Sequence, residues 1–343
     1  MSQASGGPLV PATLRGHFWV GSETRATDAG TVPFGQMYVE WESPARETGQ
    51  LPVVLVHGGG GQGLDFLQTP DGRPGWAPLL VAAGHPVYVV DRPGHGRSPH
   101  DPNVLGPMAP SMPIESWLDV MLPEAFAPLR TQWSGAREVE DPVVRHLTSS
   151  SGPMLADWEQ MHLLEQRRLA ELLDRIGPAI LICHSAGGPA GYLATDARPE
   201  LVRALVAVET IGPPFLKRPG VSLDWGLACA PLVFDPPATR ASELRLSIDG
   251  TGPVPLVLQE EPARRLPNLA RVPIAVVTGE ASAFTLFDGH LMAFLEQAGC
   301  DAELLRLERH GVRGNGHMMM LEANNVEVLG VILYWLERNA LAA

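Results

Sequence analysis

From about residue 50 onward, short, largely apolar runs alternate with longer stretches in which apolar positions recur every three or four residues. The short runs are Leu51–Val56, Val87–Val90, Ala179–Cys183, Leu205–Val208 and Ile274–Val277, each closed by glycine, proline or a polar residue. A strand apolar at successive positions presents hydrophobic side chains to both sides, which suits a parallel sheet covered on both faces. Leu304–Leu307 predicts a last strand, and His17–Val20 with Gln36–Trp41 predicts an antiparallel pair near the start. Helical spacing marks Asp157–Ile176, Leu286–Gln297 and Asn325–Asn339, the first stopping at the breaker pair Gly177-Pro178. Repeated strand-then-helix units predict an α/β protein with a mostly parallel, doubly wound sheet. Such sheets carry their active groups at the strands' carboxyl ends.

Two stretches break this rhythm. Residues 103–153, rich in Pro, Met and Trp, and the Pro-rich residues 212–267 stand where a single crossover would suffice. A single domain over residues 1–343 with two insertions is expected, and insertions at the carboxyl side of a sheet are where lids and pockets are built. Trp117, Met121, Phe126 and Trp133 in the first insertion suggest an apolar or aromatic substrate group, and suit a lid's own core equally well. An exposed apolar lid would favour a homodimer.

Composition narrows the classes. Gly (36) and Pro (33) make up about a fifth of the 343 residues, short of low complexity, and 45% are hydrophobic. A net charge of −13 repels phosphate backbones and anionic lipid, so neither nucleic acid nor a membrane surface is an expected partner. Lys217, the one lysine, argues against Schiff-base chemistry and lysine phosphate cradles. Cys183, Cys229 and Cys300 are odd in number and in no metal-type spacing, which fits a reducing compartment. Met1–Gly7 has neither a basic nor an apolar stretch, so no signal peptide is expected and a cytoplasmic location is.

The strongest chemical motif is Cys183-His184-Ser185-Ala186-Gly187-Gly188, directly after an apolar run. It fits a nucleophile elbow, where small neighbours let the chain turn sharply and lift a serine hydroxyl above the sheet, with Cys183 at the usual glycine position. A serine needs a base, and the base needs an orienting acid. His317, in Gly314-Asn315-Gly316-His317-Met318 after the last predicted strand, is the candidate base, and His310 is its nearest rival. Glu209 and Glu280 each follow a strand between serine and histidine, and the order Ser, acid, His admits both. Ala186 and the run His57-Gly58-Gly59-Gly60-Gly61 offer backbone amides for an oxyanion hole, with Gly59 and Gly60 the expected contributors. Gly58, Gly60 and Gly63 also match a dinucleotide fingerprint with Asp91 beyond, but that reading leaves the elbow unexplained. No cofactor or metal is expected. Met318–Met320 is expected to begin a helix and fill core.

Together, the strand-HGGG run, Asp91-Arg92-Pro93-Gly94-His95-Gly96-Arg97-Ser98, the Ser185 elbow and the late His317 resemble the α/β-hydrolase superfamily. Gly35-Gln36-Met37-Tyr38-Val39, Thr69-Pro70-Asp71-Gly72-Arg73-Pro74-Gly75-Trp76 and Gly314–Glu322 are similar to a small bacterial serine-esterase branch. The resemblance spans about residues 12–340, is weak in both insertions, and implies a triad glutamate after strand six, which falls on Glu209. It makes Asp91 and Arg97 a structural turn. The expectation is a cofactor-independent serine hydrolase acting on a small-molecule carboxylic ester. Amide, lactone, thioester or C–C cleavage and acyl transfer would use the same parts. A ligand-binding receptor with an idle site is the alternative from another class.

Overall fold

In the computed structural model, which describes residues 12–21 and 23–340, the apolar runs form the middle of an eight-stranded sheet. Its strands are β1 (Thr13–Val20), β2 (Met37–Pro44), β3 (Val53–Val56), β4 (Val87–Asp91), β5 (Ala179–His184), β6 (Val202–Val208), β7 (Ile274–Thr278) and β8 (Ala302–Arg306). They lie in the order β1-β2-β4-β3-β5-β6-β7-β8. The first two pair antiparallel, from Thr13 with Pro44 to Val20 with Met37, as the sequence predicts. β2 also runs antiparallel to β4, and the remaining neighbours are parallel. Met1–Gly7, where no signal peptide is expected, lies outside the described residues.

Successive strand residues leave the sheet on opposite sides. Val53, Leu55, Ile180 and Ile182 therefore pack with α1 (Trp76–Ala82) and α5 (Asn325–Asn339). Val54, Val56, Leu181 and Cys183 pack with α2 (Trp158–Ile176), α3 (Gly188–Ala197) and α4 (Asp288–Gln297). Both faces are covered, which is why these runs need no polar alternation. The chain leaves β3 towards β4 but leaves β5 towards β6, so the topology reverses at the carboxyl ends of β3 and β5. A crevice is expected at such a reversal.

Some boundaries differ from expectation for local reasons. α2 starts one residue late because Asp157 is its cap, its side chain accepting the Gln160 amide at 3.0 Å. Leu286 falls in the 3-10 turn Ala283–Leu286, ahead of α4. Met318–Met320 begins no helix: Leu321 donates to the Met318 carbonyl at 2.8 Å, Glu322 reaches back to the Gly316 amide, and α5 starts only at Asn325. The three methionines are buried in the core between the sheet and α5.

Residues 103–153 hold the helices Ile114–Met121 and Pro142–Ser150. Pro142 stands in the first helical turn, capped by Asp141, where its missing N–H costs nothing. Trp117, Leu118, Met121 and Leu122 join the core on the α1 and α5 side. Residues 212–267 hold two short hairpins, and their Trp225, Leu227, Leu232 and Phe234 join the opposite core. Among the described residues no helix is long and apolar enough to cross a membrane.

Candidate active site

β5 runs buried to His184 and then turns. Ser185 takes a φ of +52°, and the 3-10 turn Ser185–Gly187 leads into α3. A non-glycine residue enters that region at a cost and stays where its surroundings hold it. Here the Ser185 carbonyl accepts the amide of Gly188 and, at 3.0 Å, that of Ile211. A side chain at Gly187 would strike the His57 carbonyl, and one at Gly188 would strike Thr210, so the loops after β3 and β6 close directly on the elbow. Cys183 fits the usual glycine position because Gly191 on α3 leaves room for its sulfur.

His317 Nε2 lies 3.0 Å from Ser185 Oγ, and its Nδ1 lies 2.8 Å from Glu209 Oε2. Glu209, just past β6, also has a positive φ of +43°. Its Oε1 accepts the Gly279 amide at 2.9 Å, and its Oε2 accepts the Ser282 hydroxyl. Ser282 Oγ accepts from the Phe284 amide at 3.2 Å, which leaves its own hydrogen for Glu209. The Phe284 ring stacks on the imidazole at 4.4 Å and 19°. His184 Nε2 donates to the His317 carbonyl at 3.0 Å. Glu280 meets the loop before His317, not the ring: it accepts the Gly314 amide at 2.8 Å and pairs with Arg313 at 3.2 Å. His310 is exposed at the end of the turn Leu307–His310.

Glu209 and His317 are both buried. Burial pushes the Glu209 carboxyl up, and hydrogen bonds from Ser282 and Gly279 offset only part of that rise. Burial pushes the imidazole well below its ordinary value. Three donors, counting His317 Nδ1–H, converge on the two Glu209 oxygens, so the ionised carboxylate is the form that uses all of them. The imidazole is then neutral, with Nε2 free to take a proton from Ser185.

Ser185 opens on a cavity walled by Gly58, Gly59 and Gly61 and, from other elements, by Trp117, Met121 and Met318. Trp133 packs behind Trp117 at 6.4 Å, and Phe126 lies outside this wall. Gly59 approaches Ala186 so closely that an added Cβ would stand 3.3 Å from the alanine methyl. Gly60 has φ +67° and turns its carbonyl to the Gly152 amide at 2.7 Å, tying the glycine loop to the end of the first insertion.

Sequence reasoning passed over several neighbours. Asp65 lines the same cavity, and burial pushes its carboxyl up to about 7. Ser282 and Phe284 hold Glu209 and His317 from a loop with no motif of its own. Glu322, at the end of the glycine-histidine motif, accepts the Gly316 amide at 2.9 Å and Asn315 Nδ2 at 2.8 Å, bracing the turn into His317. Among the described residues no three His, Cys, Asp or Glu side chains gather as a metal site would require.

Residues 53–331 match a family described as "Alpha/beta hydrolase family". A fungal protein named "Probable secreted lipase phiG" is 35% identical over 315 residues, covering 88% of this chain and 86% of that one. A solved structure described as "The Atomic Resolution Structure of a Novel Bacterial Esterase" is 23% identical, with a TM-score of 0.66, over 99% of this chain and 100% of the other. At that identity the likeness is one of fold.

Proposed function

The chain belongs to the alpha/beta hydrolase family, and from that premise we propose that it is a serine hydrolase cleaving carboxylic esters through Ser185, His317 and Glu209. What carries the reading is the unbroken relay from Ser185 Oγ to His317 Nε2, 3.0 Å, and from His317 Nδ1 to Glu209 Oε2, 2.8 Å. His317 takes the hydroxyl proton as Ser185 attacks the ester carbonyl, and Glu209 stabilises the imidazolium that forms. The negative charge arriving on the carbonyl oxygen is met by the amides of Ala186 and Gly59, with Gly60 shaping the turn behind them. His317 then protonates the departing alcohol. Water repeats the sequence on the acyl-serine and frees the acid.

In this reading the protein is one domain with two lid or cap insertions: residues 103–153 wall the cavity, and residues 212–267 pack Val221, Leu223 and Cys229 in one cluster with Ala186. Apolar walls at Trp117 and Met121 favour an apolar or aromatic ester. Ester chemistry also agrees with the word lipase in the fungal relative's name. That name also says secreted; the cytoplasmic expectation here rests on sequence alone, and cell fractionation decides it.

The test is hydrolysis of a p-nitrophenyl ester chain-length series by wild type and Ser185→Ala, with a chelator present. Ser185→Ala should lose roughly four to six powers of ten in turnover. Equal turnover by the two folded proteins would remove Ser185 from the chemistry.

A further inference from the structure

Arg92, directly after β4, is buried to 1% exposure under the glycine loop, and the steps above give it no part. Its Nη2 donates to the Gly58 carbonyl at 2.8 Å. Its Nη1 donates to the Ala186 carbonyl at 3.4 Å and pairs with Glu165 of α2 at 2.7 Å. A second donor also reaches the Gly58 carbonyl, His57 Nδ1 at 2.8 Å. The tautomer follows from the other ring nitrogen: His57 Nε2 accepts the Arg92 amide at 3.0 Å, so the ring hydrogen is on Nδ1.

In a trans peptide the carbonyl and the following N–H point in opposite directions. Two donors on the Gly58 carbonyl therefore aim the Gly59 N–H away from Arg92, towards the cavity that Gly59 shares with Ser185. That amide meets no backbone acceptor among the described residues. The Ser185–Ala186 peptide is held in the same way, its carbonyl fixed by the Ile211 and Gly188 amides. Burying an arginine and a glutamate together is costly even when they pair, so burial for stability alone is a weak account of Arg92 and Glu165.

Resting on the serine-hydrolase reading, we propose that Arg92 is a positioning residue that clamps the Gly58 carbonyl and so presets the Gly59 amide for the oxyanion formed at Ser185. A donor already aimed need not reorient as charge develops. Glu165 holds the guanidinium in place, and the Ala186 contact keeps the two halves of the hole in register.

The experiment compares wild type, Arg92→Lys, the double variant Arg92→Met with Glu165→Leu, and Ser185→Ala. It measures p-nitrophenyl butyrate turnover, inhibition by butylboronic acid, and inhibition by 1-butanol as a ligand that forms no tetrahedral adduct. The boronate joined to Ser185 Oγ places an oxygen where the oxyanion would stand. Lysine keeps a charge opposite Glu165 but cannot fork to several acceptors, and the double variant leaves no charge buried alone. Both should lose about 10- to 100-fold in kcat, with KM within about threefold of wild type. Boronate affinity should fall by a similar factor, with butanol inhibition unchanged.

Wild-type kcat and boronate affinity in both folded variants would overturn the proposal. So would equal weakening of boronate and butanol, which marks a collapsed pocket, or failure of both variants to fold. Turnover and boronate inhibition that survive Ser185→Ala would instead bring down the serine-hydrolase reading, and this assignment with it.

Discussion

Glu209 and Glu280 follow adjacent strands, yet their oxygens meet different partners, and that difference sets two expectations. Glu209→Gln should lower ester kcat by about three to four powers of ten, because the imidazole loses the acceptor that fixes its tautomer. Glu280→Gln, which loosens the Gly314 amide and removes the exposed pair with Arg313, should cost about tenfold or less. Measured kcat values in the reverse order would move the acid to Glu280. Acid dependence follows from burial: in the proposed mechanism His317 serves as a base only when neutral, and burial depresses its pKa. Activity is therefore lost as pH falls through a value below the ~6.5 of an unperturbed ring. The kcat/KM profile should stay level down past pH ~6.5, and a half-maximum at or above that point contradicts the burial argument. Ser185 and His317 were legible as candidates because each sits among glycines on the carboxyl side of a strand, Ser185 directly after β5 and His317 in the loop beyond β8. The two acids were not separable locally, since only side-chain reach across the sheet's edge distinguishes them. Asp65, Ser282 and Phe284 left no trace because they act across long intervals of chain.

The sheet strands and the three helices expected outside the insertions were legible because both faces of the sheet are buried and the helices are amphipathic. Helices inside residues 103–153 were not, since prolines that read as breakers stand at helix starts, as Pro142 does after Asp141. The hairpin of Glu23–Thr27 with Gly30–Phe34 was also missed: it is largely exposed on both faces and carries no apolar alternation. The helix Ile114–Met121 is the element to perturb, because Met121 lines the cavity and is also buried among core side chains. Met121→Ala should lower unfolding stability by about 2–5 kcal/mol and shift the preferred ester towards a longer acyl chain. Urea unfolding and the chain-length series measure the two effects, and no change in either would take this helix out of the wall.

Over the whole molecule, three cysteines are free and lie far apart in the sequence, and burial raises all three thiols, Cys229 to about 11 and Cys300 to about 12. The melting temperature should not move when a reductant is added. Ellman's reagent should label the native protein slowly and all three thiols after unfolding. A lower melting temperature under reductant would reveal a bond between cysteines. The first insertion gives the molecule its other global property. Trp117 and Met121 face the cavity, and with Leu118 and Leu122 they also pack against the same core as α1 and α5. The surface proposed to select a substrate is thus part of the foundation of the fold. A lineage drifting towards bulkier esters would weaken its own architecture with each step. Changes of diet in such a protein should therefore appear on backgrounds already made sturdier elsewhere, and laboratory evolution should go further from a thermostabilised parent than from this one.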